Sequence, residues 1–305
     1  MIVRPRPRFL ELLFILRGSI VPQIAPKVIA IVAVSLAAVW ADSWFPSVFA
    51  RSITAPFSLI GITLSIFLSF RNSACYDRWW QARILWGQLI VDCRSLGRMV
   101  PAWLPGPEDE AARSRILRRC IGFCHALEAR LRDGDEAAAA RAWAPEGEIA
   151  VRAPTNAPQA VLAALSAELA QVRRNDRIGD PTYAALEERL TSMAQVQAGC
   201  ERIRGTPLPF AYTLLVHRTA YVFCLLLPFG LVASLGWWTP VVAAMVAYTL
   251  FGLDALGDEL EQPFAATQNA LPLAAMVRTI EIDLLASLGV TDLPPPLLPE
   301  RFVLS

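Results

Sequence analysis

Thirty-five consecutive residues between Arg218 and Asp254 carry no formal charge, and most of them are apolar. A second uncharged run, of 19 residues, separates Arg51 from Arg71. A helix needs ~20 apolar residues to cross hydrocarbon, so these runs place the chain among membrane proteins. Within the shorter run Ile62, Ile66 and Phe70 recur at every fourth position. A helix stacks such residues on one face. Ser58, Thr63, Ser65 and Ser69 lie among them. Such a stripe either packs against neighbouring helices as core or, in a ring of such helices, lines a narrow apolar passage free of charge.

The composition also requires a substantial aqueous part. Mean hydropathy is +0.42 and 55% of residues are hydrophobic, more than soluble domains usually carry. Charged residues concentrate at 71–132, 141–204 and 254–301. A formal net charge of +1 gives no basis for nucleic-acid binding. The six cysteines follow no disulfide spacing. Cys120, Cys124 and His125 lack the further ligands of a metal site and read as buried helix residues. No small-residue cleavage pattern follows the basic Arg4, Arg6, Arg8 and Arg17, so no signal peptide is expected.

The hydropathy pattern predicts four spans. The first centres on 28–41, flanked by 24–26 and 44–50, with Trp40 and Trp44 suited to an interface. The second covers 53–70, with Pro56 where a helix tolerates a missing N–H, and continues in water through Ile84. Gly236, Trp237, Trp238 and Pro240 divide the long run into a third span at 212–235, kinked at Pro228, and a fourth at 240–253. Four spans put both termini on one side, and flanking Arg and Lys make it the cytoplasmic side. The intervening body, about 71–210, reads as helical. A helix starts near Pro107, with acids in its first turn. Ile116, Leu117, Cys120, Ile121, Cys124 and Leu127 give it an amphipathic stripe. Further helices are predicted over 161–172, 183–203 and 276–288, with breaks at 133–134, 137–140 and 154–158. The proline-rich tail reads as extended.

The two histidines, His125 and His217, do not assemble a catalytic set, and no phosphate loop or nucleophile elbow is present. His217 reads as an interface or packing residue. A transporter would favour inverted repeats or buried carboxylates. An oligomeric channel uses the residues that are present, with a non-conducting scaffold or a small oligomeric transporter as alternatives.

Several motifs resemble the prokaryotic bestrophins. They are MIVRP at 1–5, APFSLIG at 55–61, FLSFRNSACY at 67–76 with Arg78 behind it, and RILWGQL at 83–89. GCER at 199–202, TPLPF at 206–210 and DELEQPF at 258–264 follow in the same order. The resemblance implies an all-α bestrophin-like homopentamer in the bacterial inner membrane. Each subunit would have four transmembrane helices and a large helical cytosolic region. The implied divisions are a cytosolic N-terminal segment at 1–27, two membrane helices with the pore neck at 28–81 and a helical cytosolic domain at 82–206. Two further membrane helices at 207–257 and a cytosolic C-terminal segment at 258–305 complete it. It implies a neck lined by Ile62, Ile66 and Phe70 and a cytosolic aperture near Ile178, Pro181 and Thr182. Asp258, Glu259 and Glu261 form an acidic junction motif, read as ordering the membrane–cytosol boundary through basic residues of a neighbour. The segment after it, AATQNA at 265–270, has no carboxylate, so no cofactor and no animal-type regulatory calcium site is expected. Partners are copies of the chain, membrane lipid and a permeating Na+, K+ or Cl−. Resemblance to the prokaryotic branch favours cations, sodium among them, with chloride as the alternative.

Overall fold

In a computed structural model, residues 1–5, 11, 15, 18–45, 54–144 and 155–305 are described. Among them nine α-helices account for nearly all regular structure. In chain order these are α1 (Val21–Trp44), α2 (Thr54–Trp103), α3 (Glu110–Leu131), α4 (Glu136–Arg141) and α5 (Ala157–Arg174). They continue with α6 (Asp180–Gly205), α7 (Phe210–Leu235), α8 (Thr239–Glu261) and α9 (Leu273–Ser287). The chain divides into two compact units. One holds residues 5–79 and 207–262; the other holds 1–4, 80–206 and 263–305.

The first unit is the apolar one. Ile24, Ile31, Leu64, Leu68, Phe223, Leu227, Leu250 and Phe251 form its core, with Ala220, Ala243 and Ala247 between them. Small residues let helix backbones approach closely where no hydrophobic driving force separates helix from lipid. Trp40 and Trp44, at the end of α1, are 64% and 66% exposed, as residues anchoring in a headgroup layer are. Residues 46–53, which include part of the flank expected to extend the first span, lie outside the described residues.

Among the described residues three stretches are long and apolar enough to cross a membrane, not the four expected: Val21–Trp44, Phe57–Trp103 and Phe210–Glu261. The third is 52 residues long because no polar loop separates α7 from α8. A single 3-10 turn, Gly236–Trp238, divides them. Gly236 sits at φ +51°, a conformation glycine adopts without steric cost, which lets α7 end there.

The second unit buries α3 on most of its circumference, including Ile116, Leu117, Cys120, Ile121, Phe123, Cys124 and Leu127. One expected break is helical instead, and a helix begins inside a second, at Ala157. Asp135 accepts the Ala138 N–H at 2.8 Å and caps α4, so the alanine run at 137–140, a good helix former, winds into a turn and a half. Asn156 caps α5 by accepting the Gln159 N–H at 3.1 Å. Pro158 falls in the first turn of α5, where a helix needs no N–H. The N-terminal residues pair with the end of the chain: Val3 N–H donates to Phe302 O at 2.9 Å and Leu304 N–H to Met1 O at 2.8 Å.

Candidate functional site

The first half of α2 has two unlike faces. Ile62, Ile66 and Phe70 are 60%, 50% and 64% exposed. At about 100° per residue, Leu64, Leu68, Arg71 and Cys75 lie on the opposite side, and all four are buried. The helix therefore packs on one face and presents an unbroken apolar stripe on the other. Thr63 and Ser65 donate their hydroxyls to Leu59 O (2.9 Å) and Gly61 O (2.8 Å) of their own helix. That satisfies both groups without a solvent partner.

Arg71 is fully buried. A buried guanidinium is costly unless carboxylates surround it, and α8 supplies them. Asp254, Asp258 and Glu261 fall at i, i+4 and i+7, on one helical face. Arg71 Nη1 donates to Asp254 Oδ1 at 3.0 Å and to the Asp254 carbonyl at 3.2 Å. Nη2 donates to Asp258 Oδ1 at 2.5 Å and stands 3.6 Å from Glu261 Oε2. The approach requires Gly257, since a Cβ there would lie 2.9 Å from Arg71 Nη1. Glu261 also accepts the Leu208 N–H at 3.1 Å and so holds the entry to α7. Glu259 is half-buried on α8.

The second oxygen of Asp254 lies 2.7 Å from His217 Nδ1 on α7. A carboxylate paired with a guanidinium can only accept here, so Nδ1 carries the hydrogen. Three helices, α2, α7 and α8, thus meet in one charged junction. Sequence reasoning named Asp258, Glu259 and Glu261 but expected a neighbour's basic residues as their partners. Asp258 and Glu261 instead face Arg71 of the same chain. Asp254 and the role of His217 were missed. The available signal was the i, i+4, i+7 spacing of Asp254, Asp258 and Glu261.

The expected aperture residues diverge. Ile178 is 7% exposed and packs into the core of its unit, so it is corrected from an aperture to a core residue. Pro181 is exposed and Thr182 half-buried in the first turn of α6, which begins at Asp180 rather than Tyr183. The preceding turn is pinned by Arg177, which donates to Asp109 at 2.7–2.9 Å and to Glu108 at 2.6 Å. The hydrogen bond from Arg173 to Asp180, 2.5 Å long, holds the Asp180 carboxyl below its ordinary value. Among the described residues no group of three or more His, Cys, Asp and Glu side chains is arranged to hold a metal.

A family model described as bacterial/fungal bestrophin protein matches residues 1–286. A voltage-dependent anion channel-forming protein of Mesorhizobium japonicum is 45% identical over 306 residues, covering 100% of this chain and 97% of its own length. One from Escherichia coli K12 is 39% identical over 302 residues, covering 99% of this chain and 98% of its own. The crystal structure of a bacterial bestrophin homologue from Klebsiella pneumoniae superposes with a TM-score of 0.83 at 38% identity. It covers 87% of this chain and 98% of that one. The fold and family are those of channels, not of enzymes. The expected preference for sodium and other cations is corrected by the same comparison. The relatives, from M. japonicum and E. coli to Synechocystis, are named for anions.

Proposed function

Since this chain belongs to the bacterial and fungal bestrophin family, we propose that it forms an anion channel, a homopentamer in the bacterial inner membrane conducting chloride-class ions passively. The observation that carries the reading is the exposed stripe of Ile62, Ile66 and Phe70 on a helix whose other face is packed. Large apolar side chains left open in this way call for cover by copies of the same chain or for a lining role around a common axis. In this reading they form three successive rings that control ion passage by wetting and dewetting.

The stretch at 210–261 crosses twice, as α7 and α8, which makes four crossings with α1 and α2. The termini and the helical body then lie in the cytoplasm, with the exit aperture at Pro181 and Thr182. The membrane segments follow 28–81 and 207–257, the cytosolic ones 1–27, 82–206 and 258–305. Arg71 does not supply the anion preference, because its charge is spent on carboxylates behind the stripe. An apolar, uncharged neck favours ions that shed water easily, and large monovalent anions hold water less tightly than sodium does. The acidic motif serves as the internal anchor of α2.

The test is current from purified protein in a planar bilayer under asymmetric NaCl. A reversal potential near the chloride equilibrium value is expected. A value near that of sodium, or no current from intact oligomers, overturns the reading.

A further inference from the structure

Two cavities of similar size lie in the helical body, and they treat their arginines differently. One, of about 580 Å³, is lined by Arg130, Arg204, Asp133, Glu136 and Glu201. There each guanidinium is already paired, Arg130 with Glu136 and Glu201, Arg204 with Asp133. The other, of about 560 Å³, lies where the start of α3 meets the last turn of α2 and the turn after α9. Glu110, Arg113, Ser114 and Arg118 of α3 line it, opposite Ser287 and Gly289.

In this second cavity the positive charges are not cancelled. Arg113 Nη1 donates to the Leu104 and Gly106 carbonyls at 2.5 and 2.7 Å. Carbonyls fix a guanidinium in place but leave its charge intact. Arg118 Nε donates to Ser114 Oγ at 3.2 Å, again a neutral partner. Among the described residues neither arginine forms an ion pair with a carboxylate. Two guanidiniums against the one carboxylate of Glu110 leave the lining with a positive charge. The walls are also fixed in advance. Arg113 ties down the loop at 104–106. Gly289, at φ +77°, donates to Ala286 O at 3.0 Å, and Val290 donates to Leu285 O at 3.2 Å, which closes α9 in a tight turn. A Cβ at Gly97 would lie 2.9 Å from Leu284 and 3.0 Å from Ser287 Oγ, so α9 sits close on α2. A site whose donors are already placed loses little freedom on binding.

We infer that this cavity binds a soluble phosphate monoester that carries free hydroxyl groups. Guanidinium forks match the oxygens of phosphate. Arg118 keeps both terminal nitrogens for such an anion, and Arg113 keeps Nη2 and Nε. Ser114 accepts from Arg118 and retains its own hydrogen to donate. A halide would leave most of this volume empty. Ser287 gives its hydrogen to Asp283 O at 2.9 Å and Glu110 offers only oxygens, so both accept from ligand hydroxyls. Glu110 repels a bare anion and favours the uncharged end of a monoester. The lining belongs to the helical body, which the proposed topology puts in the cytoplasm. The choice of a soluble source over a lipid headgroup rests on that topology, whereas binding itself does not depend on the ion conducted.

The test is isothermal titration calorimetry of the purified oligomer in phosphate-free buffer at constant ionic strength. The probes are glycerol 3-phosphate, inorganic phosphate and sodium chloride. Saturable binding is expected for both phosphates, tighter for glycerol 3-phosphate, and none for chloride. Arg118 is exposed, so its replacement spares the fold, and thermal melts check each variant. Arg118→Gln should weaken glycerol 3-phosphate about tenfold or more, the loss of one charge-assisted contact. Arg118→Lys, which keeps the charge without the fork, should lose less. Glu110→Gln should remove the preference for glycerol 3-phosphate over inorganic phosphate. Arg141→Gln, the same charge loss at an exposed position of α4, should change nothing. No saturable heat from the folded oligomer, wild-type binding by Arg118→Gln, or equal weakening in Arg141→Gln overturns the inference. Competition by nanodiscs containing phosphatidic acid, absent with phosphatidylcholine alone, assigns the site to a lipid headgroup and overturns the soluble ligand. Because heat of binding is read, these outcomes stand whether or not the oligomer passes chloride current.

Discussion

Arginine works differently in the two units of this protein. Among the described residues of the apolar unit a single guanidinium, Arg71, is fully buried, and it faces three carboxylates of one helix. In the helical body the pairs are spread over many sites and remain partly wet: Arg115 and Arg119 on Glu168, Arg130 on Glu136 and Glu201, Arg177 on Glu108 and Asp109. Surface pairs lose most of their Coulomb energy to solvent and side-chain entropy. A buried pair is tolerated only as a complete set, and removing one member leaves a desolvated charge. These body pairs share partners and solvent, with the buried Asp92 as an exception, whereas the junction depends on each member.

The sharpest way to break that contrast is Arg71→Met. Asp254 would be left buried and unpaired on that side, at a cost of about 3–5 kcal/mol. The expected result is a large fall in Tm and loss of the assembled oligomer, read by thermal melts and size-exclusion chromatography in detergent. A Tm close to wild type would mean the junction is as redundant as the body.

The body should respond less. Burial by itself would raise the Glu168 carboxyl, but hydrogen bonds from Arg115 and Arg119 outweigh it and hold the group below the ordinary glutamate value. A folded value lower than the unfolded one means that the stabilisation is present at neutral pH. It is lost as pH falls through the folded value, below ~4.3. Glu168→Gln is expected to cost about 1–2 kcal/mol at pH 7 and to flatten the acid limb of the Tm–pH curve. An unchanged acid limb would remove Glu168 from the account.

Ile66→Ala has the smallest expected effect on stability, because the side chain is half exposed in the subunit. Its effect on conduction should be the opposite: a wider, wetter neck and larger single-channel or macroscopic current. Unchanged current together with a multi-degree loss of Tm would make Ile66 a packing residue.

These expectations also mark what was legible in advance. The apolar runs, the turn at Gly236–Trp238 and the four-residue spacing of Ile62, Ile66 and Phe70 are local patterns, and hydropathy with helical period reads them directly. The alanine run at 137–140 was misread because its helix depends on the Asp135 cap, one hydrogen bond that composition does not show. Ile178 was misplaced because the resemblance located a turn without telling which of its side chains turns inward. Ion preference was misjudged because it was taken from the resemblance to the prokaryotic branch, and apolar rings carry no sign of charge to set against it.

By itself the sequence determined that the chain enters a membrane, that it is helical, and which face of α2 is apolar. Each follows from interactions between residues a few positions apart. Only the tertiary structure decided that Arg71 points away from that face, that Asp254 and Asp258 are its partners, and that His217 completes the junction. Arg71 lies more than a hundred positions from Asp254 and Asp258, and burial makes each charge depend on the others. Periodicity places a side chain on one helix, but only packing between helices decides which charges must share a site.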